Sequence, residues 1–174
     1  MGQDRAGAMR SIRPRPLDRA AFGPFGDVVE ADGAGMPAND GRARRFAGLA
    51  TFAATAPSPE LSIYRVEPSA LPLTVDYMER HPNTTQLFFP TEGKDYLVVV
   101  APSGALGEPD PAGVAAFVGR PGQGINYRAG TWHYPIVALQ APAAFLMLMW
   151  ETGTTDDCQT ARLAIPVRIE APAI

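Results

Sequence analysis

The spacing of turn-formers constrains this chain more than any other feature. Its 17 glycines and 18 prolines separate apolar runs of strand length, namely LSIYRVEP, TQLFFP, DYLVVVAP, VAAFVG, GINYRAG, the run from Ala143 to Trp150, and ARLAIPVRIE. Proline removes a backbone donor and clashes with the preceding helical turn, and glycine is costly inside regular structure. Helical periodicity never persists beyond about ten residues, whereas the runs alternate or are uniformly apolar in the manner of half-buried and fully buried strands. The separators PSG, GEPDPAG, GRPGQG and APA carry turn chemistry. The pattern predicts an all-β domain, a sandwich, jelly roll or barrel, with few short helices. Residues 1–16 are polar, basic and proline-bearing and read as a flexible leader; residues 17–174 read as a single domain. Leu17 to Ala21 fit one helical turn, FGPFGDVVE a turn into a strand at Val28 and Val29, and Ala31 to Asn39 a glycine-rich loop.

Several function classes fall away on composition. A formal net charge of -3 gives no positive field to hold nucleic acid or an anionic membrane. Lys94 is the one lysine, so Schiff-base chemistry rests on it alone. Cys158 is the one cysteine, which excludes an internal disulfide and suits a reducing, cytoplasmic compartment. It follows Asp156 and Asp157, whose charges disfavour a thiolate, so it reads as structural. The N-terminus lacks the apolar core of a signal peptide, and no run approaches the ~20 apolar residues of a membrane helix. The greasy runs LVVV and AAFLMLMW have strand length and suit either a core or a subunit interface.

Only two histidines are available for chemistry. Nucleophile-elbow, CxxC, HExxH, Walker and dinucleotide-binding patterns are absent. The first histidine lies in ERHPNTTQLFFPTEG. Strand alternation puts Glu79 and His81 on one face and sends Arg80 to the other, with Gln86 a turn further on. The second lies in GQGINYRAGTWHYP. Both stretches resemble the cupin motifs in spacing. Glu79, His81, Gln86 and Gly93 fall where the first motif has two histidines, a glutamate and a closing glycine. Gly122, Gly130 and His133 fall on the second, with Arg128 in place of its proline and Val137 in place of its asparagine. The resemblance implies a cupin-type double-stranded β-helix, a jelly-roll barrel, with Glu79, His81, Gln86 and His133 as metal ligands. Such a donor set suits Ni²⁺, Mn²⁺, Zn²⁺ or Fe²⁺, and the neutral Gln86 is the weakest donor in it.

A closer resemblance covers about residues 17–164. PLDRAAFGPFGDVVE, NDGRARRF, LPLTVDYMERHPNTTQLFFP, KDYLVVVAP, GINYRAGTWHYP and the late DDC together are similar to the ureidoglycolate lyase family. That likeness implies a cupin-fold homodimer that splits ureidoglycolate into glyoxylate and urea in allantoin (purine) catabolism, with nickel the first metal to consider. The substrate is a carbinolamine. Breaking its C–N bond requires taking the hydroxyl proton and protonating the departing nitrogen. The expected catalytic residues are therefore Glu79, His81 and His133, either as metal ligands or, without metal, as a histidine base oriented by Glu79. Arg45 and Arg65 are candidates to clamp the carboxylate, an arginine being well shaped for it; for Arg65 a solvated strand face is the alternative. Asn126 and Tyr127 are candidates to bond the urea moiety and Trp132 to contact substrate; for Tyr127 and Trp132 the alternative is a place in the core or the pocket wall, which the bulk of Trp132 favours. The competing readings are another metal-dependent cupin isomerase or dioxygenase acting on a small carboxylate, and a non-catalytic ligand-binding cupin.

Overall fold

A computed structural model describes residues 9–172. In chain order the strands are β1 (Arg10–Ile12), β2 (Arg15–Pro16), β3 (Gly26–Glu30), β4 (Met36–Ala38), β5 (Ala43–Arg45), β6 (Glu60–Val66), β7 (Leu73–Arg80) and β8 (Gln86–Glu92). They continue with β9 (Tyr96–Ala101), β10 (Ala115–Gly119), β11 (Gln123–Tyr127), β12 (Trp132–His133), β13 (Val137–Ala138), β14 (Ala143–Met149) and β15 (Gln159–Ile169). One four-residue helix, Arg19–Phe22, is capped by the Asp18 carboxylate, which accepts from the Ala21 N–H. The all-β expectation with few short helices holds, and most of the strands form two large sheets.

One large sheet runs β1-β15-β7-β12-β9-β10-β2, with β13 also on β9; the other runs β3-β11-β8-β14-β6. Between them lies a core of Phe22, Phe88, Phe117, Tyr127 and Phe145, into which β9 sends Tyr96, Val98 and Val100. The alternate residues Leu97, Val99 and Ala101 enter a second core with Val75, Met78, Leu163 and Val167. β9 is thus covered on both faces, which is why its sequence is uniformly apolar instead of alternating. Burial of each such side chain stabilises the fold by about 1.5–3 kcal/mol. β14 is covered less evenly: Phe145, Met147 and Met149 are buried, whereas Leu146 and Leu148 are half-buried.

Part of the flexible leader expected over residues 1–16 is strand. Residues 1–8 lie outside the described residues, but Arg10–Ile12 pairs in parallel with Val167–Ile169 and Arg15–Pro16 with Phe117–Val118. These are edge strands, where proline and charged side chains are tolerated, so their polarity hides them. Arg10 Nη1 also donates to the carbonyls of Pro111 and Ala112. The glycine-rich loop likewise contains structure, since Met36–Ala38 pairs with Ala43–Arg45 in a separate two-stranded ribbon. No helix among the described residues is long and apolar enough to cross a membrane.

Candidate metal and catalytic site

Sheet register assembles the site. β12 sits between β7 and β9, and His133 stands directly opposite Glu79 in the antiparallel ladder. His81 follows the end of β7, where its carbonyl accepts from the Gly130 N–H at 2.8 Å and ties the two strand ends together. Gln86 opens β8 in the facing sheet. These four residues line a cavity of about 290 Å³, with walls from Phe88, Ile136 and Met149. That is near the lower end of the roughly 300–1,000 Å³ typical of ligand pockets, and it suits a small metabolite.

The donor atoms converge. One ligand atom each from Glu79, His81 and His133 lies within 4.8 Å of the others. His81 Nδ1 is 2.7 Å from the Asp157 carbonyl oxygen and His133 Nδ1 is 2.9 Å from that of Thr131. A carbonyl only accepts, so each Nδ1 carries a hydrogen, and in the neutral ring Nε2 then keeps its lone pair. Both Nε2 atoms are buried without a partner, as is Gln86 Oε1. His133 Nε2 stands 3.6 Å from Glu79 Oε1, beyond hydrogen-bond length. A bare lone pair facing a carboxylate calls for a cation between them, a metal ion or a proton. The residues present therefore fit a divalent ion.

The surroundings hold this geometry. Asp157 is buried, and its carboxylate accepts from the backbone N–H groups of Thr152, Gly153 and Thr154. Those bonds fix the short turn whose carbonyl orients His81, and the Thr152 contacts above all hold the Asp157 carboxyl below its usual range. Tyr127 stacks on the His133 ring at 4.1 Å between centroids. Interaction with His133 holds the Glu79 carboxyl below its ordinary value against the opposing effect of burial. Burial is the main cause that lowers His81, partly offset by its bond to the Asp157 carbonyl, so its imidazole is neutral at pH 7.

The remaining candidates divide. Tyr127 touches the site through its stack on His133 but is not among the cavity walls. Asn126, adjacent on β11 and so on the opposite face, donates to Asp27 Oδ2 and to the Thr51 carbonyl and secures a loop. Trp132 is buried in the second core and donates to the Gly107 carbonyl, with the Arg80 guanidinium 4.5 Å above its ring. Arg80 thus lies on the face opposite Glu79, as alternation predicts. Arg65 does not reach the cavity: Tyr64 and Val66 point inward, so Arg65 between them faces solvent. Arg45 ends the exposed two-stranded ribbon and lines no part of the cavity either.

Three polar wall residues were not foreseen as site residues, namely Tyr64, Glu151 and Cys158. Tyr64 was within reach of the alternation argument, being the inward neighbour of Arg65. Glu151 and Cys158 lie beyond strand ends, where no periodicity operates. Cys158 Sγ is 4.0 Å from Glu79 Oε2, and its thiol is pushed up by burial first and then by Glu79 and Glu151. The direction is the expected one, but the causes are these groups and not the adjacent aspartates.

The family profile described as Ureidoglycolate lyase matches residues 9–170. The chain is 40% identical over 153 residues to the ureidoglycolate lyase of Pseudomonas fluorescens (strain Pf-5), covering 86% of this chain and 90% of that one. It is 41% identical over 143 residues to the ureidoglycolate lyase of Burkholderia mallei, covering 80% and 82%. Among solved structures, Bacillus subtilis oxalate decarboxylase aligns with a TM-score of 0.41 at 17% identity, over 60% of this chain and 24% of that chain. The Lactobacillus farciminis oxalate decarboxylase aligns with a TM-score of 0.42 at 16% identity, over 60% and 26%. Profile and relatives both span most of the sequence, and the chain belongs to the ureidoglycolate lyase family.

Proposed function

We infer that the protein is a carbon–nitrogen lyase that cleaves ureidoglycolate to glyoxylate and urea, a step of allantoin and purine breakdown. The observation that carries this, beside family membership, is the convergence of Glu79 with two bare imidazole Nε2 atoms in one small cavity. The reaction opens a carbinolamine: the O–H bond breaks, the C=O bond of glyoxylate forms, the C–N bond breaks, and the nitrogen leaves with a proton.

Glu79, His81 and His133 would hold a divalent ion, with Gln86 Oε1 as a fourth donor. Such an ion supplies positive charge against the substrate's carboxylate and hydroxyl oxygens and lowers the hydroxyl pKa. We take Ni²⁺ first on the family resemblance, with Mn²⁺, Zn²⁺ and Fe²⁺ as the alternatives. The protein's own part is to keep the site dry and aligned: Phe88, Ile136 and Met149 exclude water, and the Asp157 and Thr131 carbonyls fix the two rings. Where no ion is bound, neutral His133 accepts the hydroxyl proton at Nε2 and returns it to the departing nitrogen. Ionised Glu79, 3.6 Å away, then stabilises the imidazolium.

Incubation with ureidoglycolate tests the reading. Glyoxylate and urea should appear in equal amounts; ammonia in place of urea would mean amidohydrolase chemistry. Exhaustive chelation followed by addition of each divalent ion separates the two versions, because full activity after stripping excludes a catalytic ion. We further propose a homodimer, supported by the apolar outer face of β6, where Leu61 and Ile63 are 62% and 58% exposed. The reaction and the single cysteine favour a cytoplasmic setting.

A further inference from the structure

The cavity is chemically lopsided. Apart from the donor cluster and Gln86, its polar walls are Tyr64, Glu151 and Cys158, and among the described residues no arginine or lysine lines it. A substrate carboxylate therefore has one attractive place, the cluster once it holds a cation, and one repulsive place, the Glu151 carboxylate. A ureido group has the opposite needs. Its terminal nitrogen is a donor that wants an anionic acceptor, and its carbonyl oxygen wants a neutral donor.

Glu151 is well held for a residue at a cavity mouth. It continues the inward series Met147, Met149 on β14, two residues past the strand's end. The preceding Trp150 N–H donates to Thr84 Oγ1 at 3.1 Å, and the Trp150 ring packs on Phe52 at 5.7 Å. The following Thr152 N–H donates to the Asp157 carboxylate at 2.9 Å. Tyr64 enters from β6 with its ring edge-on to Phe88 at 5.4 Å. Its phenol is raised above the ordinary value by burial first and then by Glu151 and Glu79, so it stays protonated and able to donate.

We propose that Glu151 and Tyr64 form the ureido-recognition end of the cavity, Glu151 accepting the terminal urea N–H groups and Tyr64 donating to the urea carbonyl. The substrate is thereby oriented with its carboxylate toward Glu79, His81 and His133. This deepens the lyase reading and rests on it for the identity of the ligand. It also makes Glu151 a determinant of specificity: simple 2-hydroxy acids lack the donors that Glu151 needs, and dicarboxylates are repelled by it.

Ureidoacetate, the substrate without its hydroxyl group, offers both ends and lacks the carbinolamine that is cleaved. Glycolate offers the carboxylate end alone. Calorimetric titration of both into the wild-type protein and into the Glu151→Gln and Tyr64→Phe variants reads the assignment directly. The expected result is that each variant weakens ureidoacetate by about tenfold to a hundredfold, leaves glycolate within about twofold, and raises the KM for ureidoglycolate in parallel. Ureidoacetate affinity unchanged in Glu151→Gln, or glycolate weakened as much as ureidoacetate, overturns it. Absence of urea release by the wild-type protein would count against the lyase reading instead, and the titrations would still decide where a ureido group binds. Both side chains are more than one-third exposed, so neither substitution opens a core cavity.

Discussion

Glu79 is the side chain on which both versions of the chemistry depend. Held ionised beside His133, it is either a ligand or the counter-charge of an imidazolium. Glu79→Gln keeps the shape and removes the charge. It should lower kcat/KM by ~10²-fold or more and weaken divalent-ion binding, with little change in the melting curve; near-normal turnover in that variant would remove the cluster from the mechanism. His81 sets a pH dependence of stability. Its folded-state pKa lies below 6.5 because burial disfavours the imidazolium. Between the folded and unfolded values the unfolded chain binds more protons, so stability rises with pH there and falls on acidification below about pH 6.5. In metal-free protein Tm should drop between about pH 8 and about pH 5.5, and His81→Gln should flatten that drop. Equal slopes in the two proteins would show that His81 is not held neutral by burial.

The elements determine whether these side chains meet at all. Glu79 and His133 are opposed because β12 inserts between β7 and β9, and Gln86 joins them because β8 pairs with β11 at Tyr127, the residue stacked on His133. Gly124 makes the β11–β8 contact possible. A Cβ there would lie 2.8 Å from the Phe88 carbonyl oxygen and 2.6 Å from Phe89 Cδ2. Gly124→Ala should therefore destabilise by about 1–3 kcal/mol and lower Tm by roughly 2–4 °C per kcal/mol. It should also reduce activity, since Gln86 and Tyr127 shift with the strands. A thermal melt and the glyoxylate assay check both parts.

For the whole molecule, a divalent ion and a second subunit would each add to stability. An ion that binds only the folded chain stabilises it by mass action, about 2.7 kcal/mol at a hundredfold excess over Kd. Dimerisation would cover the apolar outer face of β6. Ile63→Glu should then convert a dimer to a monomer in light scattering after size exclusion, while the isolated chain stays folded by circular dichroism. A monomeric wild-type protein would count against the dimer. Arg65 shares that outward face with Ile63, so its role belongs with the surface and not with the cavity of its own chain.

The sequence by itself determined the class of the fold and half of the site. Turn-formers between strand-length runs dictate an all-β fold, because no long helix fits between them. The E-x-H and G-x5-R-x-G-x2-H spacings single out Glu79, His81 and His133, because alternation along a strand is a local property. Only the tertiary structure decided what lies across from them. Register between distant strands placed His133 opposite Glu79, took Asn126 and Trp132 out of the cavity, turned Arg65 to solvent, and brought in Tyr64, Glu151 and Cys158. These outcomes depend on which strands pair and how the sheet curls, contacts between residues tens of positions apart that no local period encodes.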